Sequence, residues 1–276
     1  MVQIQNNMPK ADPQAARETE VKTVLGRIKH KIIVMSGKGG VGKTSTTVNL
    51  ALALADAGHQ VGIMDVDLHG PDVPRMLGLS GMLDMSANRK LLPKRQSGNL
   101  RVVSIESLTP TQDEAIIWRG PVKFSAIQQF IGEVEWGALD FLLIDAPPGT
   151  GDEPLTVAQT IPDAKAIIVT TPQEVSLADV RKSINFCKVV KMEIFGLIEN
   201  MSGFACPHCQ TAIDLFGSGG GERTAAAAQI PFLGKVPFDP KMVECTDAGI
   251  SYQRQYKDSP VSGAFKAVAE KMSQWV

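Results

Sequence analysis

The chain has 276 residues, 43% of them hydrophobic and 5% aromatic, and a formal net charge of −1. That length supplies the core of one large α/β domain or two small ones, and so even a charge balance offers no global basic field to recruit nucleic acid or an anionic membrane. No apolar run approaches the roughly 18 residues of a spanning helix. The polar start from Met1 to Lys10 lacks the apolar middle of a signal peptide. Four cysteines, two of them close together, do not suggest a disulfide framework. A cytoplasmic protein is expected, with its cysteines as thiols or ligands.

Residues 1–29 read as a flexible polar arm leading into a short helix, with Pro9, Pro13 and mixed charge from Arg17 to Lys29. Lys31 to Ser36 is a β-branched run of the kind a buried parallel strand shows. It feeds Gly37-Lys38-Gly39-Gly40-Val41-Gly42-Lys43-Thr44, which meets the phosphate-loop pattern G-x-x-x-x-G-K-S/T at every required position. Val48 to Ala57 then reads as a helix apolar nearly all round, ended by Gly58. Glycines let such a loop wrap closely round an anion. Successive N–H groups and the helix N-terminus aim positive charge at it. Lys43 would reach the β- and γ-phosphates, and the Thr44 hydroxyl would sit on Mg²⁺. A second lysine, Lys38, stands where the general pattern leaves the residue free.

Gln60 to Asp65 is the second strand and delivers Asp65 and Asp67 to its carboxyl end, where ligands bind in open α/β sheets. The two aspartates fit a metal shell and a water-orienting role; they also fit turn formers ahead of His69-Gly70-Pro71. Gly81 to Asn99 reads as an irregular surface excursion, and Leu100 to Ile105 as a strand. Trp118 opens a helix to about Glu135 whose Phe124, Ile127, Ile131 and Val134 face inward. Leu139 to Asp145 is more hydrophobic than the strands before it and ends in Asp145, at the Walker B position that helps hold Mg²⁺. The Pro147-Pro148-Gly149 run beyond it suggests a loop pivoting between set conformations, with Gly149 placed to give its N–H to the γ-phosphate.

Strands at Ala166 to Thr171, Phe195 to Ile198 and Leu233 to Val236 alternate with helices such as Leu177 to Val190. This alternation predicts an α/β fold, a mostly parallel sheet with helices on both faces, in a single domain over residues 30–276. The last helix, from about Val261, puts Val261, Phe265, Val268, Met272 and Trp275 on one face. With Lys266 and Lys271 as its only basic residues, it is expected to pack on the body rather than lie on a membrane.

Cys206-Pro207-His208-Cys209 offers two thiols that can grip one metal centre. Tetrahedral zinc and a 4Fe–4S cluster each want four ligands, and neither a second C-x-x-C nor a cysteine in the arm exists. Cys187 and Cys245 stand alone in apolar or helical settings and read as buried small hydrophobes. One chain therefore supplies half a site, and a two-fold dimer giving two thiolates from each subunit completes it economically. A redox C-x-x-C competes, although such a pair usually opens a helix; His208 reads as a turn residue able to donate to zinc.

With Lys38 present, Gly37 to Thr44 resembles the deviant Walker A loop of dimeric ATPases such as MinD, ParA-type proteins and the nitrogenase iron protein. DVDLHGPDVPRMLG, WRGPVKFSAIQQF, LLIDAPPGTGDE, ENMSGFACPHC and LFGSGGGE together resemble the Mrp (ApbC-type) iron–sulfur carrier ATPases, from about residue 30 to the end. The resemblance implies that Lys38 crosses a homodimer interface to the partner's nucleotide phosphates. It implies Lys38, Lys43 and Asp67 as the catalytic set, with Asp67 orienting the attacking water. Thr44, Asp65 and Asp145 would support Mg²⁺. The ATP-binding set runs over Gly37, Lys38, Gly39, Gly40, Val41, Gly42, Lys43, Thr44 and Ser45, joined by Gly149, Asn200 at the adenine and Pro237 in a loop over the base. Cys206 and Cys209 match the pair that bridges a 4Fe–4S cluster between subunits, with zinc as a possible substitute. His69 and Asp72 depart from the residues common in this segment, and the arm lacks the four-cysteine site of eukaryotic cytosolic relatives.

The expected function is an ATP-hydrolysing carrier that assembles a 4Fe–4S cluster at a homodimer interface, receives it from a cluster donor and passes it to apo-protein clients. A positioning or partitioning ATPase with structural zinc is the first rival, and requires a membrane- or DNA-binding surface. A non-hydrolysing scaffold is the second, and has no need of Lys38, Asp67 and Asp145 together.

Overall fold

The computed structural model describes residues 13–67, 70–108, 127–206, 208–209 and 211–275. In chain order, α1 (Pro13–Leu25) leads into β1 (Ile28–Ser36), α2 (Lys43–Asp56), β2 (Val61–Asp65) and the single-turn α3 (Val73–Met76). The excursion that follows holds three two-residue strands, β3 (Asp84–Met85), β4 (Leu91–Leu92) and β5 (Lys94–Arg95), before β6 (Leu100–Ser104). Then come α4 (residues 127–132), β7 (Leu139–Asp145), α5 (Asp152–Thr160), β8 (Lys165–Thr170), α6 (Glu174–Val189) and β9 (Ile194–Asn200). A ribbon of β10 (Phe204–Ala205) and β11 (Ala212–Ile213) precedes α7 (Gly220–Ala228) and β12 (Phe232–Val236). The chain closes with α8 (Pro240–Asp247), α9 (Tyr252–Gln255) and α10 (Pro260–Ser273).

Eight strands form one sheet in the order β12-β9-β8-β1-β7-β2-β6-β5. Every pairing is parallel except that of β5 with β6, an antiparallel edge. Successive side chains of a strand point to opposite faces, and β1 feeds both. Ile33 and Met35 enter a core with Ile144, Ile168, Phe130 and Trp136, while Ile32 and Val34 enter a second core with Leu50, Leu54, Leu143 and Phe265. A strand apolar at consecutive positions is what a two-faced sheet requires, which is why the KIIVMS run signals this fold. As expected, α10 buries Val261, Phe265, Val268 and Met272, packing on α2 and β12. No described helix is long and apolar enough to cross a membrane.

Residues 13–29 are built into the body more firmly than a polar arm would be. Val21 and Leu25, four apart on α1 and so on one face, are buried in the first core. The first strand also starts three residues early, with Ile28 paired to Leu139. Its polar positions find partners far along the chain: Lys31 pairs with Asp163 at 2.7 Å, and His30 stacks on Phe141 with Trp275 beside it. The helix expected from Trp118 falls largely outside the described residues; its end, α4, buries Ile127, Phe130 and Ile131.

Candidate nucleotide and thiol sites

The parallel strands β1, β2, β7 and β9 end on the same side of the sheet, at Ser36, Asp65, Asp145 and Asn200. From Ser36 the chain turns through the glycine loop into α2. Gly42 caps α2 in a left-handed conformation, φ 79°, with no side-chain cap, which leaves the first N–H groups of a 14-residue helix for an anion. Two glycines are required by close approach as well. A Cβ on Gly37 would lie 2.4 Å from the Asp179 backbone of α6, and one on Gly42 would lie 2.2 Å from Asn200 Nδ2. Gly42→Ala is accordingly expected to cost about 1–2 kcal/mol in backbone strain and to push Asn200 off the loop. Titration with a fluorescent ATP analogue should show affinity reduced at least about tenfold, the equivalent of 1.4 kcal/mol.

Lys43 and Asp145 form the buried centre. Lys43 Nζ lies 2.8 Å from Asp145 Oδ2 and 3.5 Å from Asp67 Oδ2. The Thr44 hydroxyl donates to Asp145 Oδ2 at 2.8 Å, and Thr47 to Oδ1 at 2.7 Å. Lys43, Thr44, Ser45, Asp67 and Lys38 line a cleft of about 380 Å³ together with Gly39, Gly40 and Gly42. Carboxylate and hydroxyl oxygens of Asp145, Asp67 and Thr44 thus converge beside the ammonium, the hard oxygen set that suits Mg²⁺. Lys38 is half-buried, and among the described residues no carboxylate pairs with it. Lys43 is held inside its own site; Lys38 is available to something else.

Four expected contacts sit differently. Asp65, in register with Asp145 across β2 and β7, is fully buried and outside the cleft lining. It accepts the Asp67 N–H at 3.1 Å and the Ser104 hydroxyl at 3.0 Å. Burial first, and then the neighbouring Asp145 carboxylate, raise its pKa well above the ordinary range; its geometry suits holding Asp67 in place. Gly149, at φ 92°, donates its N–H to Ser36 O at 2.8 Å rather than into the cleft. Asn200 donates Nδ2 to Val41 O at 2.9 Å, under the loop, and Val41's own side chain is buried. Pro237 lies outside the cleft lining, at the end of β12.

Sequence reasoning passed over Glu199. Its fully buried carboxylate accepts the N–H groups of Gly219 and Gly221 at the start of α7, and the Ser202 hydroxyl. A negative charge there is held by the helix N-terminus. The visible signal was an acid inside an otherwise apolar strand, IFGLIEN, with a glycine-rich stretch downstream.

The thiol pair stands on the β10–β11 ribbon, where Phe204 opposes Ile213 and Ala205 opposes Ala212. Cys206 N–H donates to Thr211 O at 3.0 Å, pinning the ribbon's end. Cys209 is exposed, and its Sγ lies 3.2 Å from Thr211 Oγ1. Hydrogen bonds from the Thr211 hydroxyl first, from its N–H, and then from Cys206 favour the thiolate and lower the Cys209 pKa. Among the described residues no group of three or more His, Cys, Asp and Glu side chains is placed to hold a metal ion. Cys187 and Cys245 are buried as expected, and burial pushes Cys187 up to about 12. Iodoacetamide at pH 8 should therefore label Cys209 fastest and Cys187 only after unfolding, with peptide mass spectrometry as the check.

A family model described as the NUBPL iron-transfer P-loop NTPase matches residues 27–273. An iron-sulfur cluster carrier protein of Methanocaldococcus jannaschii is 46% identical, over 95% of this chain and 90% of its own. The cytosolic Fe-S cluster assembly factor CFD1 of Saccharomyces cerevisiae is 45% identical, over 90% and 88% respectively. Among solved structures, a nucleotide-binding protein of Archaeoglobus fulgidus in complex with ADP superposes with a TM-score of 0.74 at 39% identity, covering 84% of this chain and 91% of its own. The cell division ATPase MinD of Pyrococcus furiosus superposes at 0.67 with 24% identity, covering 90% and 99%, a likeness of fold. Phosphate loop, superposition and sequence agree, and the chain belongs to the NUBPL iron-transfer family of P-loop NTPases.

Proposed function

We propose that this protein is an ATP-hydrolysing carrier of a 4Fe–4S cluster, which two copies hold between them and release to apo-protein clients. The observation that carries this reading is the thiol pair. Cys206 and Cys209 sit on a ribbon tied to the strand that supports the phosphate loop, with half the ligands a cluster takes. Names of the relatives point the same way, as does their near full-length match. Residues 30–276 work as one unit in this reading.

Lys43 leaves Asp145 for the β- and γ-phosphates; Thr44 and, behind it, Asp145 would hold a Mg²⁺, which would supply charge neutralisation at the phosphates. Asp67, held by Asp65, accepts a hydrogen bond from the attacking water and orients it toward the γ-phosphorus. Lys38 reaches the partner's site and offsets the charge that builds on the transferred group. The cluster is cargo: its bonds to four cysteine thiolates exchange for client thiolates, with no net redox change. Moving either subunit moves two of the four ligands, so a nucleotide-driven change in dimer geometry strains or exposes the shared cluster.

The positioning-ATPase reading, with zinc between the cysteines, has less support, since α10 spends its apolar face on α2 and β12. Anaerobic reconstitution with iron and sulfide is the test. A brown dimer carrying one cluster per two chains is expected, read by absorbance in the thiolate–iron region and by size. A colourless monomer under those conditions would overturn the reading.

A further inference from the structure

The nucleotide loop and the thiol ribbon are joined through a short path. Asn200, which holds the loop at Val41, is six residues before Cys206. Between them Ser202 N–H donates to Val236 O at 2.9 Å, and Gly203 O accepts the N–H of Phe238 at 2.8 Å. Phe238 therefore ties the segment leaving β12 to the segment leaving β9. Its ring lies 5.9 Å from Phe204, on β10, and 6.0 Å from Phe216, just beyond β11, with both pairs edge-on. Such pairs contribute about 0.5–1.5 kcal/mol beyond burial. All three rings are half-buried, and none belongs to either main core. They form a satellite cluster at the base of the ribbon, gripping it from both ends.

The ribbon is exposed beside the rings, at Ala205, Ala212 and Ile213. Its orientation thus depends on Phe238 and on the Gly203 hydrogen bond more than on the body of the domain. Phe238 also leads into Asp239, which caps α8 through the Lys241 N–H. On the α8 side Met242 meets the Asn49 side chain, and Asn49 Nδ2 donates in turn to Ser45 O at the start of α2. The ring cluster is consequently anchored to the phosphate loop by two routes, through Asn200 and through α8 to Ser45. Packed chains of this kind carry coupling between sites where they have two arrangements.

We infer that Phe238 is the positioning residue through which occupancy of the phosphate loop sets the orientation of the Cys206–Cys209 ribbon. The inference rests on the carrier reading for its purpose, but not for its test, which needs no iron. Hydrogen exchange of residues 204–213 is compared with and without the non-hydrolysable analogue β,γ-imido-ATP, in wild type and in Phe238→Leu, with light scattering following the oligomeric state. The analogue is expected to change ribbon exchange at least about fivefold in wild type, the lower end of ordinary coupling. In Phe238→Leu that change should fall below about twofold on the same scale. Protection of the phosphate loop by the analogue, and dimer formation, should be retained.

A wild-type ribbon indifferent to the analogue overturns the inference, as does a variant ribbon that responds fully. So does loss of the response together with the dimer, which would make it an interface effect. If Phe238→Leu fails to fold, Phe216→Leu removes the other side of the same ring contact and is read identically. Failure of the carrier reading shows separately, as wild type that takes up no cluster.

Discussion

Replacing Cys206 or Cys209 with alanine is expected to leave the protein colourless after reconstitution with iron and sulfide, while its fold and nucleotide binding persist. Both thiols stand on a two-strand ribbon outside the main cores, and Cys209 is exposed. Truncation therefore opens no core cavity, and thermal melting should move little. The loss of cluster should be close to complete, because in the proposed two-fold arrangement each substitution removes two of four ligands. Iron and sulfide analysis beside a nucleotide titration measures both halves. Full cluster yield in the double variant would mean that the ligands lie elsewhere.

Lys38 and Lys43 sit five residues apart in one loop, and their expected roles separate in mixed dimers. Lys43 is enclosed by Asp145 and Asp67, whereas Lys38 has no carboxylate partner among the described residues. A cation supplied from a partner raises hydrolysis by about 10³–10⁵-fold in other NTPases, so Lys38→Ala homodimers should lose activity on that scale. Placing Lys38→Ala in one subunit and Lys43→Ala in the other leaves one site complete if Lys38 acts in trans, and about half the activity should remain. With both substitutions in the same subunit, neither site is complete and activity should vanish. If Lys38 acts within its own subunit, the two results exchange places. Phosphate release from purified mixed dimers decides the matter.

The run KIIVMS and its counterparts at Leu139 to Asp145 and Ala166 to Thr171 were legible as buried parallel strands because both faces of each are covered. The start of β1 was not, since Ile28 and Lys29 fell in the charged arm and the polar stretch Lys29, His30 and Lys31 hid the strand's beginning. Their fit depends on Asp140, Asp163, Phe141 and Trp275, all more than a hundred residues away. Asp65 illustrates the same limit at the site. Its position at a strand end was visible, yet its orientation toward Ser104 and the Asp67 amide depends on β6 lying beside β2. The buried state of Cys187 and Cys245 was readable from their apolar or helical surroundings.

By itself, the sequence determined the local chemistry: a glycine loop able to cradle phosphates, two lysines within it, carboxylates at strand ends, and a thiol pair with half a ligand set. These follow from residue type and spacing, because backbone freedom, side-chain length and alternation act over a few positions. Only the tertiary structure decided what faces what. The order β12-β9-β8-β1-β7-β2-β6-β5 sets Asp65 in register with Asp145, brings Asn200 beneath Val41, and lets Phe238 meet Phe204 and Phe216. Those neighbours are chosen by long-range packing and strand register, for which no short stretch of the chain carries the information.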